Sequence, residues 1–239
     1  MEVLEIPIDL EYGDFSRGKI KYLVVPPSET AYPLRYLDLQ LNIMGDIRNL
    51  STLVNLETLI LSRNRLSSIT KQVFQRMTNL TTLDISMNRI LEISFSMLPP
   101  RLEIVLVHLN GLHSVDFSDA NLPALEVLTL SYGFLSDLNT TALLAAAPKL
   151  KEIMLLHNEF GLEKEMNISA ALKAAGISHD DGFGVEETDE LEYESYGVFN
   201  RNENSIYQDR MAQFWEHTFA WLLAIGNAIV LREAGFRNA

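Results

Sequence analysis

One spacing, L-x-x-L-x-L-x-x-N-x-L, recurs six times between Leu34 and Gly161. The copies are Leu34, Leu37, Leu39, Asn42, Met44; Leu56, Leu59, Leu61, Asn64, Leu66; and Leu80, Leu83, Ile85, Asn88, Ile90. They continue as Leu102, Val105, Val107, Asn110, Leu112; Leu125, Leu128, Leu130, Gly133, Leu135; and Leu150, Ile153, Leu155, Asn158, Phe160. The first positions step by 22, 24, 22, 23 and 25 residues. A tandem unit of this length cannot bury its own apolar face, so it folds only by stacking on its neighbours.

Each copy predicts one short strand, as at Thr58 to Ser62. Alternate side chains then point into the core and out of the sheet. Stacking turns the strands into a curved parallel sheet. The Asn column falls just after each strand, where buried backbone groups need partners. Gly133 has no side chain to offer, so that column should be locally weak in copy five. The expected fold is α/β: a solenoid with its parallel sheet on the concave face and a helix at the C-terminal end. The Leu and Asn columns are scaffold and carry no site of their own.

Copy two reads LETLILSRNRLSSITKQVFQRMTN from Leu56 to Asn79. With Ile69 and Phe74 in its second half, it resembles the 24-residue typical class of the leucine-rich repeat family. The run ALKAAGISHDD resembles the C-terminal flank of insect members, and more broadly the chain resembles the leucine-rich immune proteins of mosquitoes. The resemblance covers residues 34–161, about half the chain. It implies a secreted, non-catalytic protein that holds a protein partner, complement-like in that group. Those relatives usually carry cysteines and a coiled coil, and neither is found here.

The expected organisation is a cap or degenerate repeat at 1–33, six repeats at 34–161 and a cap helix at 162–179. An acidic segment at 180–205 and an apolar helix at 206–239 follow. In the first block KIKYLVV, residues 19–25, reads as a truncated strand ended by Pro26 and Pro27. NISAALKAA, residues 167–175, reads as a helix stopped by Gly176. Residues 1–20 carry acids early and lack the apolar stretch of a secretory leader. In the last block TFAWLLAIGNAIVL is short for a bilayer, with Glu216 and His217 just before it and Asn227 inside it. Docking on the last repeat, pairing with a partner or a second copy, and anchoring to a membrane remain open readings for it.

Composition narrows the function. A net charge of −13 argues against nucleic acid, which needs clustered Lys and Arg, and points to a basic protein partner. The chain has no cysteine, so neither a thiol nucleophile nor a disulfide cap is available. No GxSxG, HExxH or P-loop occurs. The expectation is a non-enzyme without cofactor or metal; His108 and His157 stand two repeats apart and do not make a metal pair.

Candidate sites follow from the outward strand positions. These are mostly polar in the first three copies (Tyr36, Asp38, Gln40; Thr58, Ile60, Ser62; Thr82, Asp84, Ser86) and become apolar from copy four. Leu106, His108, Leu109, Tyr132, Met154 and Leu156 would form an exposed patch for a protein partner. Four N-x-[ST] sequons at Asn49, Asn79, Asn139 and Asn167 are glycosylation candidates that favour secretion. Tyr193 and Tyr196 stand among eight carboxylates in residues 180–196 and are sulfation candidates. The first functional expectation is an extracellular binding protein of insect innate immunity. An intracellular adaptor and a membrane-tethered ectodomain are the rivals.

Overall fold

The computed structural model describes residues 2–180. The acidic segment beyond Asp180, the helix expected at 206–239 and the sulfation candidates Tyr193 and Tyr196 lie outside the described residues.

Eight short parallel strands make the main sheet. In chain order they are β2 (Tyr12–Asp14), β4 (Tyr36–Asp38), β5 (Thr58–Ile60), β6 (Thr82–Asp84), β8 (Ile104–Leu106), β10 (Val127–Thr129), β11 (Glu152–Met154) and β12 (Ser178–His179). Each pairs with the strand of the next repeat in register: Leu37 lies beside Leu59, Leu59 beside Leu83, and Leu83 beside Val105. Two smaller parallel pairs form in the second halves of repeats. β1 (Val3–Glu5) pairs with β3 (Tyr22–Val24), and β7 (Glu92–Ser94) with β9 (Ser114–Asp116). Helices α1 (Lys71–Phe74), α2 (Thr140–Ala146) and α3 (Leu162–Ala174) occupy other second halves.

The N-terminal block holds a repeat that the six-copy pattern does not include. Leu10, Gly13, Phe15, Gly18 and Ile20 take the five column positions, 24 residues ahead of Leu34. Its strand in the main sheet is β2. The strand expected in KIKYLVV exists as β3, but it pairs with β1 and not with the main sheet. At the other end α3 starts at Leu162, five residues earlier than the apolar pattern suggests. Its first turn carries Glu163 and Glu165 and its last turn Lys173, which suits the helix dipole. Gly176, at φ +72°, takes the left-handed conformation that ends the helix.

The core is the stacked columns. Leu37, Leu59, Leu83, Val105, Leu128 and Ile153 are fully enclosed, as are Leu39, Leu61, Ile85, Val107, Leu130 and Leu155. Phe74, Phe95 and Phe160 fill the wider space under the second halves, and Phe95 stacks on Phe117 with ring centres 4.3 Å apart. Burying a side chain of this size is worth about 1.5–3 kcal/mol. Many such side chains in one continuous column explain why three-residue strands hold their places.

The Asn column forms a hydrogen-bonded ladder. The Asn64 amide donates to the carbonyls of Leu39 (2.9 Å) and Leu61 (3.1 Å) and accepts from Met44 N–H (3.0 Å). Asn88 does the same with Leu61, Ile85 and Leu66 N–H. Asn110 and Asn158 continue the ladder. Each asparagine thus ties its own turn to the preceding repeat and satisfies backbone groups that are closed off from water.

Candidate functional site

A left-handed residue precedes every position of the Asn column. Arg17, Leu41, Arg63, Met87, Leu109, Tyr132 and His157 all hold φ between 53° and 59°. For side chains with a Cβ this conformation costs about 1–2 kcal/mol each. The backbone bonds around it are regular: Leu41 N–H donates to Ser62 O (3.1 Å), Arg63 N–H to Ser86 O (3.1 Å) and Tyr132 N–H to Leu156 O (2.8 Å). The turn lines these side chains up as a row along one margin of the sheet. Arg63 Nε donates to Met87 Sδ at 3.1 Å within this row, and the Tyr132 and His157 rings lie 4.5 Å apart.

The outward face of the sheet carries two further rows. The first runs Tyr12, Tyr36, Thr58, Thr82, Ile104, Val127 and Glu152; the second runs Asp14, Asp38, Ile60, Asp84, Leu106, Thr129 and Met154. Tyr12 and Tyr36 stack with ring centres 4.2 Å apart and planes 4° from parallel. Burial raises the Tyr36 pKa well above the ordinary phenol value, helped by its hydrogen bond to Tyr12. Burial likewise raises the Asp38 carboxyl, with Asp14 and Asp84 adding repulsion from the same row. Arg63, partly enclosed, has its pKa lowered by burial and then by the Arg17 guanidinium. The polar half of the face is therefore an acidic row bordered by two arginines.

The apolar half differs from the expectation in one respect. Leu106, His108 and Leu109 are 7%, 5% and 9% exposed and are buried, while Tyr132, Met154 and Leu156 are half-buried. Strands in a sheet lie about 4.8 Å apart, so outward side chains of one row abut. Leu106 stands between Asp84 and Thr129, and His108 Nδ1 lies 2.8 Å from Thr129 Oγ1. Burial pushes the His108 imidazole below the usual histidine range, with the Asp84 carboxylate pulling the other way.

The sequons are spread over different elements. Asn49 Nδ2 donates to Leu23 O at 2.7 Å, and Asn79 Oδ1 accepts from Arg101 at 3.1 Å. Asn79 and Arg101 line a shallow cleft with Glu57, Thr81, Glu103 and Ala124. Asn139 is exposed and caps α2, its Oδ1 accepting from Ala142 N–H at 3.0 Å. Asn167 is exposed inside α3, and Ser169 of the same sequon lies 2.8 Å from His179 Nε2.

At the C-terminal edge the Asp180 carboxylate accepts from Leu155 N–H and Leu156 N–H, both at 2.8 Å. In inner repeats the N–H at the Leu155 position donates to the next strand, as Leu130 N–H does to Met154 O, and the one at the Leu156 position donates to an aspartate of its own repeat, as Gln40 and Ser86 N–H do to Asp38 and Asp84. Asp180, just past β12, supplies the acceptor for both, a role that sequence reasoning missed. Among the described residues no three His, Cys, Asp or Glu side chains gather into a cation site, and no helix is long and apolar enough to cross a membrane.

The comparisons agree with this geometry. Residues 54–99 match the family model described as leucine rich repeat. The chain is 28% identical to human Toll-like receptor 1 over 174 residues, covering 57% of this chain and 22% of the receptor. It is 29% identical to mouse Toll-like receptor 6 over 146 residues, covering 49% and 18%. The chain therefore spans about a fifth of the length of these curated relatives. Among solved structures, the leucine-rich repeat domain of APL1B aligns at 27% identity and TM-score 0.62, over 80% of this chain and 53% of that one. The LRIM1/APL1C complex shares the fold at TM-score 0.64 and 22% identity, over 97% of this chain and 42% of that one. The chain folds as a leucine-rich repeat solenoid, an architecture suited to protein interaction, and residues 54–99 carry the sequence pattern of that family.

Proposed function

We propose that this chain is an extracellular leucine-rich repeat protein of insect innate immunity that binds a protein partner through the outward face of its sheet. The observation that carries the binding face is the change of character along it. Tyr36, Asp38, Thr82 and Asp84 give way to Ile104, Val127, Met154 and Leu156 on the same rows and their continuation. Apolar and aromatic side chains favour the core of an interface. Tyr132, Met154 and Leu156 supply its contact atoms, with Leu106, His108 and Leu109 packed beneath and beside them. Secretion is supported by the sequons and by the likeness to Toll-like receptors and to the APL1B repeat domain.

The test is capture from insect haemolymph with the purified chain and with a Met154→Asp, Leu156→Asp double variant. The expected result is an immune protein, complement-like or itself a repeat protein, retained by the first and lost by the second. Equal retention by both would remove the binding face from consideration. Failure in haemolymph together with stable capture from cytosol would favour the second reading, an intracellular adaptor. The observation behind that rival is the lack of any cysteine for a disulfide cap.

A further inference from the structure

Each of these strands runs into the turn that the left-handed residue opens. In the repeats of β2, β4, β5 and β6 that turn spans residues 17–21, 41–45, 63–67 and 87–91. These four segments hold Arg17, Lys19, Lys21, Arg63, Arg65 and Arg89 and no Asp or Glu, in a chain of 19 Lys and Arg against 32 Asp and Glu. The matching segments of the later repeats, 109–113, 132–136 and 157–161, hold no Lys or Arg. Backbone bonds stack the turns: Ile43 N–H donates to Ile20 O (3.0 Å), Arg65 N–H to Met44 O and Arg89 N–H to Leu66 O (both 2.8 Å). The cations therefore line a margin that crosses four repeats, about 14 Å at the usual strand spacing. Arg63 is half-buried and the other five are exposed. Among the described residues none of those five forms an ion pair. Like charges bear on one another across the repeat between them, Arg17 on Arg63 and Arg65 on Lys21. Gathering like charges costs self-repulsion, which a bound anion removes.

We propose that this margin binds a sulfated polysaccharide, laid along the solenoid axis with its sulfates on these cations. The guanidinium fork matches oxyanions of the phosphate kind, and sulfate presents the same oxygens. Stacked repeats hold the cations at fixed intervals, and a stiff polymer with regularly placed charges loses little freedom on meeting them. Two features set this polymer apart from nucleic acid. The four segments contain no aromatic residue, so single-stranded bases find no stacking platform. The acidic row of Asp14, Asp38 and Asp84 runs beside the margin on the outward face, and it repels any polyanion wide enough to overlie both. At physiological salt charges are screened over about 8 Å, so the margin's own cations outweigh the distant carboxylates of the chain. Arg63, Arg65 and Arg89 lie within the span of the sheet, with further repeats on both sides. The margin is also separate from Met154 and Leu156, so binding here and partner binding on the apolar half can fail independently.

The experiment uses the full chain and a fluorescein-labelled heparin octasaccharide, read by fluorescence anisotropy at physiological salt. The expected result is saturable binding that weakens steeply as salt rises and that a fully desulfated octasaccharide does not show. The Arg65→Gln, Arg89→Gln double variant should bind about tenfold or more weakly, because it loses two charge-assisted contacts. Lys71→Gln with Arg76→Gln removes the same charge from the exposed surface at and just after α1 and should bind as the parent does. All four side chains are exposed, so neither pair disturbs the stacked columns. Absence of binding would overturn the proposal. So would an equal effect of the two variant pairs, whether both lose affinity or neither does, because net charge and not the margin would then decide. Equal affinity for an oligothymidylate of the same charge would overturn it too, and would assign the margin to nucleic acid.

Discussion

A Cβ placed on Gly133 would stand 2.8 Å from Asn158 Oδ1. Gly133 occupies the Asn position of its repeat, and the Asn158 side chain leans into the space left there. Asn158 is held by Leu130 O at 3.0 Å, Leu155 O at 2.8 Å and Leu135 N–H at 3.1 Å, so it has little freedom to retreat. Leu112 O, 3.2 Å from the same point, closes the other side. Gly133→Ala is therefore expected to destabilise the solenoid by about 1–2 kcal/mol, although alanine is the easier residue to fix in place. A urea midpoint equal to or above that of the parent chain would show that Asn158 yields.

The columns were legible because each position does one physical job. Leucine at every inward strand position and asparagine at the turn leave few alternatives, and those six repeats stand where the pattern puts them. The seventh was hidden by its own compensations. Gly13 sits where the others carry an inward aliphatic residue, and Gly18 sits in the Asn position. Phe15 fills the gap, its ring edge 2.7 Å from where a Gly13 Cβ would be, and Asn42 Oδ1 lies 2.7 Å from the Gly18 equivalent. Only the 24-residue step from Leu10 to Leu34 announced it. Burial at Leu106 and His108 was not legible for a different reason. Periodicity tells which face a residue points to, but not how tightly neighbouring rows close over it.

The left-handed column predicts a stabilising substitution. Arg17 holds φ 58° and is exposed. Glycine adopts this conformation without a Cβ clash, but it loses more freedom on folding. Arg17→Gly is expected to gain about 0.5–1 kcal/mol as the balance of these effects. The matching change at Met87 should gain less or lose, because the Arg63 contact goes with the side chain. The two urea midpoints, measured side by side, should separate in that order; the reverse order would show that left-handed strain is not what limits this turn.

Asp180 links the turn after β11 to pH. Burial raises its pKa, against the pull of Leu155 and Leu156 N–H, and Glu152 beside it is raised by burial and then by Asp180. A carboxyl whose folded pKa lies above its unfolded one stabilises fully below the unfolded value and loses that contribution as pH rises through the folded value. Asp14, Asp46 and Asp116 are lowered and act oppositely, losing their contribution as pH falls, but they lie at the exposed surface. Asp180→Asn removes one ionisation. Its melting temperature should improve relative to the parent as pH rises from about 3.5 toward about 6, the carboxylate range. A gap that is constant with pH, or that widens against the variant, would show that the two backbone bonds outweigh burial.

Asn139 should dominate any glycosylation. Its side chain already caps α2 through Oδ1, which leaves the glycan-bearing Nδ2 on the exposed side of the turn. Asn49 uses Nδ2 to hold Leu23 O, and Asn167 sits within a regular helix turn. Asn79 lies half-buried against Arg101. When the chain is expressed behind a secretory leader, intact mass should show one principal glycan addition that Asn139→Gln removes. Because the cap is lost with the same change, Asn139→Asp serves as the control: it keeps an oxygen acceptor for Ala142 N–H and cannot be glycosylated. If both variants keep the added mass, Asn139 is not the principal acceptor, and the cap geometry does not decide which sequon is used.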